Sequence, residues 1–152
     1  DVSVQAQVLN LIADLQRDLG IAYVFIAHDL AAVRYVASKV AVMYLGKIVE
    51  QGSLDEIFNS PRHPYTQALL SAVPDPEPWQ ARKLVNIVLE GDVPSPTNPP
   101  SGCSFRTRCW KAAEVCSVTE PALEVRGEGP PVACHFPVPM QIYRTDAERK
   151  SL

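Results

Sequence analysis

The chain has 152 residues, 47% of them hydrophobic and 20% charged. That is the composition of a soluble globular protein, long enough for one ordinary domain or part of a larger one. A net charge of −3 gives no electrostatic case for nucleic acid, and no apolar run approaches the roughly 18–20 residues that span a bilayer.

No proline occurs before residue 61, and all 14 lie between Pro61 and Pro139. Regular helices and strands are therefore expected early and irregular structure later. Val8, Ile12, Leu15 and Leu19 recur at helical spacing and predict an amphipathic helix, which Gly20 ends. Ile21 to Ala27 is a short, nearly continuous apolar run. It reads as a strand buried on both faces of a parallel sheet. His28 and Asp29 follow at its carboxyl end, where open α/β sheets bind ligands. Asp29 is expected to cap a helix from Leu30 to Ser38.

Val40 to Leu45 predicts a strand. Gly46-Lys47 is expected to turn it, with Ile48 to Gln51 returning as a hairpin partner. Ser53 and Glu56 form a capping box for a helix reaching Phe58 or Asn59, and Pro64 opens another. His63 and Tyr65 read as residues that order the turn into that helix. Pro74, Pro76 and Pro78 favour extended backbone, and Leu84 to Leu89 suggests a short strand. Trp79 and Trp110 read as covers for small core patches, and Arg144 to Leu152 as a solvated tail.

Four cysteines, Cys103, Cys109, Cys116 and Cys134, follow a second proline-rich stretch with spacing C-x5-C-x6-C-x17-C. No C-x-x-C pair is present, so zinc ribbons and knuckles match poorly. The chain opens on Asp1 without Met or a secretory leader, which predicts a true N-terminus further upstream. Without a secretion signal, ligation of Zn²⁺ or an iron–sulfur cluster competes with disulfides or free thiols. His135, beside Cys134, is a further candidate for a ligand or for a bond to a cluster sulfur. Arg106 and Arg108 are expected to soften the charge of gathered thiolates.

Read in isolation, His28 is equally a helix cap or a surface group. Its surroundings carry more. The runs Asp1 to Gly20 and Tyr23 to Leu30, then Met43-Tyr44-Leu45-Gly46-Lys47-Ile48-Val49-Glu50-Gln51-Gly52, resemble the C-terminal part of an ABC-transporter ATPase subunit. Ile57 to Leu70, Gly91 to Pro96 and Pro99 to Cys109 resemble the oligopeptide/dipeptide importer branch.

The resemblance covers about residues 1–137. It implies an α/β fold: the C-terminal part of a P-loop ATPase over 1–52, a Pro/Cys-rich transporter extension over 53–137, and a tail over 138–152. It implies that His28 is the switch histidine facing the γ-phosphate of ATP with Mg, where a preorganised donor stabilises developing charge. It makes Asp1 the last D-loop residue, acting across an interface between two ATPase subunits. Some members of this branch carry a [4Fe–4S] cluster on four such cysteines; zinc is the alternative. The implied partners are a second ATPase subunit and membrane permease subunits, at the cytoplasmic face of the inner membrane, with no nucleic acid.

No G-x-x-x-x-G-K-[S/T] loop occurs in the 152 residues, so this chain alone is expected to be inactive. The competing reading is a stand-alone cluster- or zinc-binding regulatory module.

Overall fold

The computed structural model describes residues 2–74 and 84–143. Asp1, Pro76, Pro78, Trp79 and the tail from Arg144 lie outside them, so the readings at those positions have no structural counterpart here. The chain divides into two compact units, residues 1–38 and 39–152.

The first unit is a helical pair. Helix α1 runs Val2–Leu19. Gly20 ends it at φ 64°, its N–H donating to the Gln16 carbonyl at 3.0 Å. That is the left-handed stop that glycine adopts without a Cβ penalty. Helix α2 runs Leu30–Val36. Tyr35 Oη bonds to Asn10 Oδ1 at 2.5 Å and ties the two helices together.

Between them, 21–27 has no regular secondary structure and is not the buried strand that the apolar run predicts. It pairs with no strand among the described residues, and Val24 and Ile26 are 93% and 92% exposed. Strand formation needs neighbours to take up backbone N–H and C=O groups, and the described sheet contains only two strands, both further along the chain.

The second unit is built on a hairpin. Strands β1 (Lys39–Tyr44) and β2 (Lys47–Ser53) pair antiparallel, with Tyr44 opposite Lys47. The two-residue turn is therefore Leu45-Gly46, one position earlier than expected. Both residues have positive φ, 46° and 77°. That is the combination whose twist matches a right-handed hairpin. Leucine is an unfavourable choice at such a φ. Its side chain packs on a cluster of Tyr44, Val49 and Phe105, which holds it there. A bulge between Val42 and Met43 leaves Val49 as the extra residue, so Val49 and Glu50 are consecutive and both buried.

The far edge of β2 does not stay open. Gln51 N–H donates to Pro131 C=O (3.1 Å), and Ala133 N–H donates to Val49 C=O (2.8 Å). Helix α3 (Leu54–Asn59) starts on the expected capping box: Ser53 Oγ accepts from the Glu56 N–H, and the Glu56 carboxylate accepts from the Ser53 N–H. Helix α4 (Pro64–Ala72) has Pro64 in its first turn, where the missing N–H costs nothing.

Leu84 to Leu89 belongs to no strand; Leu84 N–H donates to Ile142 C=O and Ile87 N–H to Ser71 Oγ. Gln67, buried on α4, donates to both Pro61 C=O and Val138 C=O, clamping the 138–143 segment along that helix. A short 3₁₀ turn (Arg106–Arg108) and helix α5 (Glu114–Val118) complete the described elements.

Candidate functional site

His28 stands in the first unit, exposed, just after the 21–27 segment. Its position is set by its neighbour. Asp29 caps α2, its Oδ1 accepting from the N–H groups of Ala31 (2.9 Å) and Ala32 (3.3 Å). Its Oδ2 accepts from Gln5 Nε2 on α1 at 2.9 Å. The Gln5 bond, then the two amides, hold the Asp29 carboxyl below its usual pKa, against a small opposing effect of burial. The residue after His28 is thus anchored at three points, while His28 is left facing outward from a helix N-terminus.

In the second unit, all four cysteines line one small pocket, with His63, Phe105, Arg106, Lys111 and His135. All four are free thiols. They arrive from four places: the Ser101–Cys103 loop, the end of the 3₁₀ turn, α5, and the segment beyond Val132.

Gly102 makes the first approach possible. It has φ 65°, and a Cβ there would stand 2.4 Å from the Cys116 carbonyl oxygen. That carbonyl accepts from the Cys103 N–H at 2.8 Å, so the loop lies directly on α5. Ser101 Oγ donates to Ser117 C=O, and Arg106 Nε donates to Ser101 C=O (2.9 Å). Arg106 therefore braces the loop as well as lining the pocket. Arg108 is not among the lining residues, and its charge acts on Tyr65 instead.

Backbone amides point at two of the sulfurs. Lys111 N–H donates to Cys109 Sγ and Phe136 N–H to Cys134 Sγ, both at 3.4 Å, and the backbone at Phe105 and Arg106 pulls the Cys103 thiol the same way. Burial still dominates. It raises Cys103 and Cys134 above the ordinary thiol pKa, and Cys109 to about 11. Mutual repulsion among the thiolates adds to this. Such thiols stay protonated near neutrality unless a cation replaces the protons.

Among the described residues, no group of three or more His, Cys, Asp or Glu side chains is placed to hold a metal ion. His135 Nε2 is engaged with Thr119 C=O at 2.9 Å, so Nε2 carries the proton and only Nδ1 remains as a possible donor atom.

Beneath the pocket lies an aromatic floor. Phe105, 1% exposed, meets Tyr44, Tyr65 and His63 at ring separations of 5.2, 5.4 and 5.8 Å. His63 is the N-cap of α4, its Nδ1 accepting from the Tyr65 N–H at 3.0 Å, and it bonds to the Ala133 backbone. Burial lowers its pKa to about 4, so the ring is neutral and structural. Trp110 covers no core patch: it is 45% exposed.

Sequence reading missed Glu50. It is fully buried, and its carboxylate accepts from the N–H groups of Arg62 (2.7 Å) and His63 (3.1 Å). It thereby fixes the bend that delivers His63 to the pocket. Burial raises its pKa against the pull of those amides. The Arg62 guanidinium in turn reaches Pro130 C=O (3.2 Å) and Arg126 C=O. The one available signal was a glutamate on an inward position of a hairpin strand.

Residues 49–116 match the family model of the oligopeptide/dipeptide transporter C-terminal region. The chain is 54% identical over 134 residues to the dipeptide transport ATP-binding protein DppF of Haemophilus influenzae, covering 88% of this chain and 40% of that protein. It is 56% identical over 124 residues to the oligopeptide transport ATP-binding protein OppF of Salmonella typhimurium, covering 82% of this chain and 37% of that protein. It is 55% identical over 134 residues to DppF of Escherichia coli, covering 88% and 39%. The chain thus spans about 40% of the length of these relatives.

Proposed function

We propose, for a chain that belongs to the ATP-binding protein family of oligopeptide and dipeptide ABC importers, that it supplies the switch-histidine segment and the cysteine-bearing extension of a subunit that hydrolyses ATP to energise peptide import. The observation that carries this reading is the family match over residues 49–116, together with more than 50% identity to such proteins over most of the chain.

The chemistry assigned to His28 follows from its setting. In phosphoryl transfer, charge builds on the γ-phosphoryl oxygens, and a fixed imidazole donor lowers that barrier. His28 is exposed, and the residue after it is held by Gln5 and by two amides, so its backbone is fixed while its ring is free to meet a phosphate. Asp1 is assigned the D-loop contact with the opposite nucleotide site. ATP and Mg are substrates of the whole subunit, because the 152 residues hold no phosphate-binding glycine loop. The partners are a second ATP-binding subunit and membrane permease subunits, and the location is the cytoplasmic face of the inner membrane. None of the described helices is long and apolar enough to cross a membrane.

The four cysteines are assigned to a [4Fe–4S] cluster. What supports this reading is that four soft thiols line one pocket and amides point at two of the sulfurs. Zinc held by the same four thiolates is the alternative. When bound, the cluster cross-links four segments of an extension with little regular structure. Cys103, Cys109, Cys116 and Cys134 would hold it, and Arg106 and Lys111, which line the same pocket, would offset its charge.

The test is replacement of His28 by Ala in the full-length subunit assembled with its permease. ATP hydrolysis and peptide uptake should fall together by at least about a hundredfold while nucleotide binding persists, as for loss of a group acting on the transition state. Unchanged hydrolysis would remove the assignment.

A further inference from the structure

We propose that Cys103 and Cys116 are a disulfide-forming pair: Cys103 is the entry thiol, which exchanges with a low-molecular-weight disulfide, and Cys116 is the thiol that resolves it. This chemistry belongs to the metal-free thiols and is independent of the cluster reading. The two residues are already joined through the backbone. The Cys103 N–H donates to the Cys116 carbonyl at 2.8 Å, and Ser101 Oγ donates to the Ser117 carbonyl at 3.0 Å. A direct N–H to C=O bond between two residues sets their Cα atoms about 5–6 Å apart, the separation at which a disulfide closes without backbone movement. Both thiols are free and line the same small pocket.

Access separates the two. A second hollow, a cleft of about 420 Å³, is lined by Lys47, Ile48, His63, Glu120, Leu123 and Cys103 among others. That volume admits a small molecule. Cys103 lines both hollows, whereas Cys116, 7% exposed, lines the four-thiol pocket and not the cleft. A reagent entering the cleft therefore meets Cys103 first, with Cys116 behind it.

The exchange balances in two steps. The Cys103 sulfur, as thiolate, attacks one sulfur of the incoming disulfide; that S–S bond breaks, and one half leaves and takes up the proton Cys103 gave up. The Cys116 sulfur then attacks Cys103 Sγ and releases the other half with the second proton. The two cysteines are oxidised, and the reagent is reduced to two thiols. Burial keeps Cys103 protonated near neutrality, so the first step is slow. At the proposed cytoplasmic location thiols are kept reduced, so the bond forms under oxidative load and reverts afterwards. While closed, it withdraws two of the four thiols from any cation.

The experiment exposes the reduced, chelator-treated chain to oxidised glutathione over hours, the timescale of disulfide exchange. Intact mass and non-reducing peptide maps are read for the wild type, C103S, C109S, C116S and C134S. The principal wild-type product should have lost two hydrogens and should link residues 103 and 116. C116S should instead retain glutathione on Cys103, and C103S should react at least about tenfold more slowly, because its remaining thiols are off the cleft. C109S and C134S should keep the 103–116 link. Circular dichroism of each reduced variant controls for folding. Native-state alkylation of the wild type needs no variant: Cys103 should be labelled first. A principal link between other residues, oxidation of C103S at the wild-type rate, loss of the link in a folded C109S or C134S, or another thiol labelled first would each overturn the inference.

Discussion

Gln5 on α1 donates to the carboxylate of Asp29, the residue after His28, at 2.9 Å. The same carboxylate caps α2 through its other oxygen. A bond between residues 24 positions apart thus joins two helices and sets the backbone at His28.

Asp29→Ala should expose the first turn of α2 and release α1 from it, while Gln5→Ala should release only the second contact. Amide hydrogen exchange at Ala31 and Ala32 reads the difference: fast in Asp29→Ala, nearly native in Gln5→Ala. The pH dependence has a definite sign. The folded carboxyl titrates below its unfolded value of 3.8. The cap is therefore intact above the unfolded pKa and is lost as pH falls through the lower folded one.

His63 governs acid stability of the second unit. Its folded pKa is about 4 against 6.5 in an unfolded chain. Between these values the unfolded state binds a proton that the native state refuses, so stability is complete above pH 6.5 and declines as pH falls toward 4. The integrated effect is roughly 3 kcal/mol. Glu50, whose carboxyl is raised by burial, works in the opposite sense, because its native state accepts a proton first. His63→Asn keeps a capping oxygen for the Tyr65 N–H but cannot titrate. Urea unfolding of the metal-free variant should have a much flatter pH dependence over this range; a slope equal to that of the wild type would refute the assignment.

Glu50→Ala should be among the most damaging single changes. It leaves the buried N–H groups of Arg62 and His63 without an acceptor, each at about 1–3 kcal/mol. A loss of about 3 kcal/mol or more in chemical unfolding is expected, with the Glu50→Gln loss smaller because one acceptor oxygen remains.

Gly102→Ala tests whether the pocket depends on the loop approach. The left-handed φ alone costs about 1–2 kcal/mol for alanine. The added methyl would also meet the Cys116 carbonyl at 2.4 Å, so the 2.8 Å bond from Cys103 must open. Thiol-specific cross-linking between positions 103 and 116 should fall sharply, while a control Gly91→Ala, where nothing lies within 4 Å of the added carbon, should leave it unchanged.

Phe105→Ala removes the ring on which Tyr44, Tyr65 and His63 converge. A buried phenylalanine truncated to alanine costs about 3–5 kcal/mol. The midpoint of urea unfolding should shift down with little change in slope, and the thiols should react faster with alkylating reagents as the pocket floor opens.

Much of the local structure was legible in residue types alone. The α1 helix, though not burial of its apolar face, the Gly20 stop, the Asp29 cap, the Ser53–Glu56 box and Pro64 at a helix start are decided within four residues of chain, where propensity and capping act directly. The order of motifs around His28 and through Ile57 to Cys109 likewise pointed to the transporter family without any coordinates. The apolar run 21–27 marked the limit of such reading, because composition states that a segment is fit to be a buried strand but cannot supply the strands beside it.

What only the tertiary structure decided are the meetings of distant segments. Four cysteines spread over 32 residues of proline-rich chain were expected at one site through the family resemblance, but their spacing does not say how they meet. Their convergence depends on Gly102 lying on α5, on Arg106 bracing the loop, and on the 131–133 segment closing the edge of β2. The same holds for Glu50, an ordinary strand residue by type, which becomes a buried acceptor only because the chain at 61–63 bends back onto it. Local rules act through the neighbouring turn; these contacts are enforced by the need to satisfy buried polar groups across long stretches of sequence.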